Sequence, residues 1–389
     1  MTKSEAPVVV AGAGIGGLTA ALALYARGIR AIVVDRAQQL EPLGVGINLL
    51  PHAVRELHRL GLGAALADIA VAPEYLRYVD ARGAEIYVEP RGVAGGYGHP
   101  QLSVHRGRLQ SLLLSAVHAR LGADSVRTGT AVTGFRQCAE GVRVDTVASE
   151  VTAAALIGAD GLHSTVRRQL HPDGDPLLWS GIQMYRGATT APAFLDGRSM
   201  VIVVGDDGVS MVLYRIGDDL LNWVLQVPAG TPGPFTGPVS SPEPVDADAV
   251  ARHVASWSLG WLDAAALIRR THPVTRHAMV DRDPLPWWTA GRVTLLGDAA
   301  HPMYPVGANG ASQAVVDGAV LAAMVDRHGI PAGLARYAVR RRPDTARVVY
   351  ANRAMHAAGG NTAAGLAHIT TSYRNTTSYP DDLARSTRS

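Results

Sequence analysis

The sequence predicts an α/β fold in which a Rossmann-like dinucleotide-binding domain is interrupted by an inserted β-sheet domain and completed by C-terminal helices. Three observations carry this. The chain opens with strand, glycine turn, helix and strand in quick succession. Two later apolar runs each end in an aspartate, as the opening unit does. Between these pieces lie two segments in which short strand-like runs alternate with Gly, Asp and Pro turns.

Residues 7–11 are apolar and β-branched, residues 15–27 carry apolar side chains at helical spacing, and residues 29–34 are apolar again, which makes a βαβ unit. Gly12, Gly14 and Gly17 form G-x-G-x-x-G between the first strand and the helix, and Asp35 closes the second strand. Gly12 permits the tight turn and Gly17 allows close helix packing. Gly14, beside Ile15, lets a pyrophosphate approach free amides at the helix N-terminus. Asp35, with Arg36 next to it, is placed to accept hydrogen bonds from ribose hydroxyls. The ligand expected is an adenine dinucleotide.

Residues 153–159 read as a strand ending at Asp160, and residues 292–296 as one ending at Gly297 and Asp298. After the turn 305–310, residues 311–324 read as a helix whose N-terminus should face the ligand. Segments 73–100 and 181–272 are assigned to the substrate-binding β-sheet domain. Segments 1–72, 101–180 and 273–389 form the dinucleotide domain with its C-terminal helices. Residues 231–244, rich in Pro, Gly and Ser, are expected to be a loop, and the tail from residue 372 to be polar and poorly ordered.

Composition narrows the function. Of 389 residues 47% are hydrophobic and 18% charged, a balance that fits a globular enzyme. The net charge of +3 is spread along the chain, and its one dense basic run, Arg340 to Arg342, is short, so nucleic acid is not an expected partner. Cys138 is the single cysteine, which excludes an intrachain disulfide and fits a reducing, cytoplasmic setting. No signal-peptide pattern opens the chain and no apolar run reaches membrane-spanning length, so no membrane partner is expected. The 14 histidines show no metal-ligand spacing. No metal is expected, and His52, His105 and His301 are read as polar residues around the ligand or at the surface.

Two further motifs decide which dinucleotide is bound. Residues 158–167, with Asp160, Gly161, Ser164 and Arg167, resemble the D-G-x-x-S-x-x-R signature of flavoprotein hydroxylases. Residues 297–302, G-D-A-A-H-P, followed by Pro305, Gly307, Ala308, Asn309 and Gly310, resemble their second flavin fingerprint. Together with the first glycine motif they resemble the class A flavoprotein monooxygenases, the para-hydroxybenzoate hydroxylase family. Residues 44–48 (G-V-G-I-N), 281–286 (D-R-D-P-L-P) and 307–313 are similar to phenazine-hydroxylase and salicylate-hydroxylase-type enzymes.

The resemblance implies tightly bound FAD, NADH or NADPH as a transient reductant, and dioxygen. It implies hydroxylation of a small planar aromatic through a flavin C4a-hydroperoxide, the substrate being phenolic, carboxylated or phenazine-like. Asp298 and Gly297 would hold the ribityl chain, Asp160 and Arg167 would lie near the pyrophosphate, and Arg106, Gly46, Ile47 and Ala311 would complete the cofactor site. Pro305, Gly307, Asn309 and Gly310 would form the loop against the flavin ring. The commoner form of that loop is G-Q-G, and Ala308 and Asn309 replace its first two residues here. Flavin reductase, oxidase, Baeyer–Villiger and epoxidising chemistry stay open. So does the choice between monomer and homodimer.

Tyr185, Tyr214 and Arg215, with Arg186, Met211 and Trp223, lie in alternating strand patterns of the second domain and are candidate pocket residues. A strand Tyr or Trp is as readily a core residue.

Overall fold

The computed structural model describes residues 6–42, 44–217, 219–237 and 243–358. The expected tail from residue 372 and residues 238–242 of the expected loop lie outside them. The opening strand Val8–Ala11 is buried along its whole length and pairs in parallel with Ala31–Val34 on one side and Ala155–Gly158 on the other. Val126–Arg127 and Val293–Leu295 extend this parallel sheet, and Thr289–Ala290 adds an antiparallel edge. A parallel strand covered on both faces reads as an unbroken apolar run, which is why VVVA and AIVV show no alternation.

The helix Ile15–Tyr25 (IGGLTAALALY) is apolar on all sides because it is sandwiched. The sheet lies beneath it and the helix Gly310–His328 alongside. The two helices approach so closely that a Cβ on Gly318 would come within 3.0 Å of the Ala20 amide nitrogen. The final helix, Ala332–Ala358, buries Arg341 completely and carries Pro343 within it. Among the described residues no helix is long and apolar enough to cross a membrane.

A second sheet draws its strands from residues 75–90 and 178–281. Its strand order is Glu243–Val245, Val274–Asp281, Leu178–Thr190, Leu220–Pro228, Ser210–Arg215, Ser199–Val204, Tyr75–Asp80 and Glu85–Pro90, and Gly233–Pro234 pairs off this path. Ser199–Val204 runs parallel to Tyr75–Asp80, and the other pairings are antiparallel. Successive strand residues point to opposite faces, so the register sorts this sheet into two surfaces. Tyr185, Leu225, Met211 and Val203 share one row across the sheet. With Trp223 and Leu213 they pack into the core beneath the helices Ala247–Ala251 and Ala264–Arg269. Arg186, Val224, Val212, Ile202 and Tyr78 form the adjacent row on the opposite face, turned toward the first domain.

Candidate active site

A cavity of about 870 Å³ lies between the two sheets. Its floor begins at the glycine turn. Gly12 has φ of +108°, and a Cβ there would meet the Ala159 carbonyl oxygen at 2.3 Å; one on Gly17 would meet the Gly12 carbonyl oxygen at 2.0 Å. Both positions exclude any side chain. Gly14 differs: nothing lies within 4 Å of its Cβ position, and it opens on the cavity with Ile15 at the helix N-terminus. This bare backbone at a dipole's positive end fits a pyrophosphate. Asp35 accepts the amides of Ala13 (2.6 Å) and Ala37 (2.8 Å), which fixes its carboxylate at the end of the second strand. Arg36 beside it is exposed.

Like Asp35 and Arg36, Asp160 and Arg167 do not themselves line the cavity; the two were expected near the pyrophosphate, and they lie behind residues that face it. The Asp160 carboxylate accepts the Ser164 hydroxyl (2.5 Å) and the Thr165 amide (2.7 Å), and so starts the short helix Thr165–Leu170. Arg167 is buried, donates to the carbonyls of Ala299 and Ala300 at 3.0 Å each, and pairs with Asp175. It ties its own motif to the Gly297–His301 turn. Their neighbours Ala159 and Gly161 are the residues that reach the cavity.

Asp298 is exposed to the cavity it lines, and the protein enclosing that cavity desolvates its carboxylate and raises its pKa against the opposing charges of His301 and Arg106. Behind it sits a buried network. His301 Nε2 meets Asp317 Oδ2 at 2.6 Å, the Gly297 amide donates to the same oxygen at 3.1 Å, and Arg341 Nε donates to Asp317 Oδ1 at 2.6 Å. Burial alone would raise the Asp317 pKa, but His301 and Arg341 hold it at about 2. The loop Pro305–Gly310 then faces the cavity, with Gly307 at φ +74° and Ala308 at φ +59°. Gly310 and Ala311 open the N-terminus of the helix Gly310–His328 onto the same space, where free amides favour negative charge.

The opposite wall is the second face of the large sheet. Gly46 docks the two parts: its amide donates to Asn222 Oδ1 at 2.6 Å, and a Cβ there would lie 2.7 Å from the Tyr214 ring. Gly46, Ile47 and Arg106 line the cavity. So do Tyr214 and Arg186, together with Val212, Val224 and Met200. Tyr185 and Arg215 do not, because both are odd-numbered residues on strands whose even-numbered residues face the cavity. Tyr185 stacks on His253 at 5.9 Å, and Trp223 donates to Thr271 Oγ1 at 3.0 Å, both on the far side. Met211 is buried with them.

Arg186 is the electrostatic feature of this wall. Among the described residues it has no carboxylate partner; its one hydrogen bond is a long 3.4 Å contact to the Gly46 carbonyl, and Nε has none. Its titratable neighbours are Tyr214, whose phenol burial keeps neutral, His277, and another arginine, Arg106. A guanidinium held half-buried on the cavity wall without a counterion is costly, and an anion bound there would offset that cost.

The sequence reading missed the far end of the cavity. Arg91, Tyr78 and Gln101 line it, and Arg91 pairs with buried Glu89 at 2.5 Å. Glu89 lies opposite Leu76 in the sheet, so parity on this strand could have pointed to it once the register was known.

The FAD binding domain family matches residues 5–352. The chain is 46% identical to phenazine 1,6-dicarboxylic acid hydroxylase PhzS of Lysobacter antibioticus, covering 96% of this chain and 98% of the relative. It is 35% identical to 3-hydroxybenzoate 6-hydroxylase 1 of Aquipseudomonas alcaligenes, covering 92% of this chain and 91% of that one. Among solved structures, Klebsiella pneumoniae HpxO complexed with FAD and uric acid superposes with a TM-score of 0.80 at 24% identity, over 98% of this chain and 95% of the other, a likeness of fold.

Proposed function

The chain belongs to the FAD binding domain family and is an FAD-dependent aromatic monooxygenase, and from that premise we propose that its substrate is a planar aromatic carboxylic acid, with NADH or NADPH as reductant. The observation that carries the substrate class is Arg186, a half-buried cation on the cavity wall with no carboxylate partner among the described residues. A substrate carboxylate supplies the missing partner. The relative at 46% identity is named for a phenazine dicarboxylic acid, and the apolar wall of Val212, Val224 and Ile202 suits a flat ring system of that kind.

In this reading Gly14, Ile15 and the free amides of the helix Ile15–Tyr25 would hold the pyrophosphate of FAD, and Asp35 its ribose. Asp298 and Arg106 would hold the ribityl chain, and Pro305 to Ala311 the ring. Bound FAD supplies two-electron reduction and the activation of dioxygen for transfer of one oxygen atom. The protein's own part is positional. Arg186 orients the acid, the sheet face excludes water, and the Gly310–His328 N-terminus favours negative charge beside the loop. Asp298, its pKa raised by burial, can exchange hydrogen bonds with hydroxyl groups in either protonation state. Asp160 and Arg167 act through the backbone they fasten.

We read the nine-stranded sheet as the substrate domain and the remainder as the FAD domain. The reading extends to a cytoplasmic monomer or homodimer, supported by the use of NAD(P)H and the single cysteine. The test is NAD(P)H oxidation by the yellow holoenzyme with and without phenazine carboxylates, hydroxybenzoates and their methyl esters. Stimulation by the acids and not the esters is expected. Equal stimulation by both removes the role given to Arg186.

A further inference from the structure

The row of the large sheet that faces the first domain has unlike ends. Register places Arg186, Val224, Val212, Ile202 and Tyr78 side by side on five neighbouring strands. At a strand spacing of about 4.8 Å, the arginine and the tyrosine stand about 19 Å apart at their Cα atoms, and the aliphatic panel between them is about 10 Å across. Arg106 lies close to Arg186, so positive charge gathers at that end.

At the other end the charge is already matched. Arg91 and Glu89 pair at 2.5 Å, each side chain 6% exposed. Arg91 lines the cavity, as does Leu76, the cross-strand neighbour of Glu89, so the carboxylate stands behind this corner of the wall.

Two neutral polar side chains line the same end. Gln101 is 3% exposed. Its Nε2 donates to Met200 Sδ at 3.0 Å and to Asn48 Oδ1 at 3.4 Å, and Asn48 Oδ1 also accepts the Ser103 hydroxyl at 2.6 Å. This arrangement orients the amide and leaves Gln101 Oε1, a buried acceptor, with no donor among the described residues. Tyr78, 2% exposed, has Arg91 and Glu89 as charged neighbours, and its hydroxyl makes no hydrogen bond among the described residues. Burial keeps that phenol protonated. A buried acceptor is costly until a donor reaches it, whereas a carboxylate brought to the same place would meet Gln101 Oε1 and the charge of Glu89.

We propose that Tyr78 and Gln101 form a second recognition point, which reads a neutral hydrogen-bond donor, a hydroxyl or an amide N–H, at the far end of a fused-ring aromatic acid carrying one carboxylate. The assignment rests on the reading of Arg186 as carboxylate partner given above, and adds to it the length of the substrate and its distal group. A single ring held at Arg186 does not span the aliphatic panel; fused rings do. The cavity then disfavours a second carboxylate, the group in the name of the relative at 46% identity, phenazine 1,6-dicarboxylic acid hydroxylase PhzS.

The test measures dissociation constants by titration calorimetry on the FAD-loaded full chain. The probes are phenazine-1-carboxylic acid, its methyl ester, phenazine-1,6-dicarboxylic acid and the monoamide of that diacid. The last two match in shape and differ in one charge and in the capacity to donate. The monoamide is expected to bind about tenfold or more tightly than either the diacid or the monoacid. In Y78F and in Q101L the ratio of monoamide to monoacid affinity should fall close to one, and Y78F, which keeps the ring in place, decides the matter if Q101L does not fold. A diacid bound as tightly as the monoamide, or a ratio that Y78F leaves unchanged, would overturn the proposal. Equal binding of the monoacid and its methyl ester would remove the reading of Arg186 and this proposal with it; preference for the acid with no gain from the distal amide would remove this proposal alone.

Discussion

Arg186 shows what a single residue contributes here. Its half-buried guanidinium has a second arginine nearby and no acid among the described residues, so replacing it should relieve the fold and, on the proposed reading, deprive a carboxylated substrate of its partner. R186Q is expected to raise the Michaelis constant for a carboxylated substrate by about 10- to 100-fold, the value of one charge-assisted hydrogen bond of roughly 1.5–3 kcal/mol. It should leave the melting temperature equal or higher. Steady-state kinetics and a thermal melt check both halves, and a lower melting temperature with unchanged kinetics would make Arg186 structural. The histidines give a pH expectation. Burial first, then nearby arginines, lowers His52 to about 3 and His277 to about 4. Both rings stay neutral in the folded chain and take up protons near pH 6.5 when unfolded. Their stabilising effect is therefore complete above about pH 6.5 and declines as pH falls from there toward 4, at no more than about 1.4 kcal/mol per pH unit for each ring. Denaturant titrations from pH 7.5 to 4.5 measure this, and H52Q should flatten the slope. The glycines were legible in the sequence because their constraint is local: a turn, a close packing contact and an open approach each demand the same residue. Tyr185 and Arg215 were misread because both faces of their strands are covered, so no polar contrast reveals which parity faces the cavity.

Among elements, the turn before the helix Gly310–His328 departs from the commoner G-Q-G form of the loop at Ala308 and Asn309. Ala308 stands where the commoner loop has glycine, yet its φ is +59°, in the left-handed region that penalises any Cβ. A308G is expected to stabilise the chain by about 1 kcal/mol, the relief of that strain less the greater entropy glycine brings to the unfolded state. Denaturant unfolding of the holoenzyme reads it, and a loss of stability would mean that the Ala308 methyl packs productively. The helix itself is longer than its apolar spacing indicated, running to His328 against an expected end at residue 324. Asp326, Arg327 and His328 break the apolar pattern, but they are solvated at the helix end, where charge does not oppose helix formation. The D-G-x-x-S-x-x-R segment was legible as a motif but not as an element with a job. That Arg167 fastens the Gly297–His301 turn depends on a contact across more than 130 residues.

At the scale of the whole molecule, the α/β class followed from the order of motifs because parallel strands need crossovers and place their ligand at the strands' carboxyl ends. The parallel pairing of Ser199–Val204 with Tyr75–Asp80 could not be read that way, since it joins segments more than 100 residues apart with no signal in either. With it went the far end of the cavity, where Arg91, Glu89 and Gln101 come together. The two sheets face one cavity, and in the proposed reading one wall takes the cofactor and the other the substrate, an arrangement that would carry out oxygen transfer away from bulk water. The most direct measurement is mass analysis of the product formed by the holoenzyme from NAD(P)H and an aromatic carboxylic acid under isotopically heavy dioxygen. A hydroxylated product carrying one heavy oxygen atom is expected. An unlabelled product, or NAD(P)H consumption under nitrogen with reduction of the substrate, would contradict a monooxygenase.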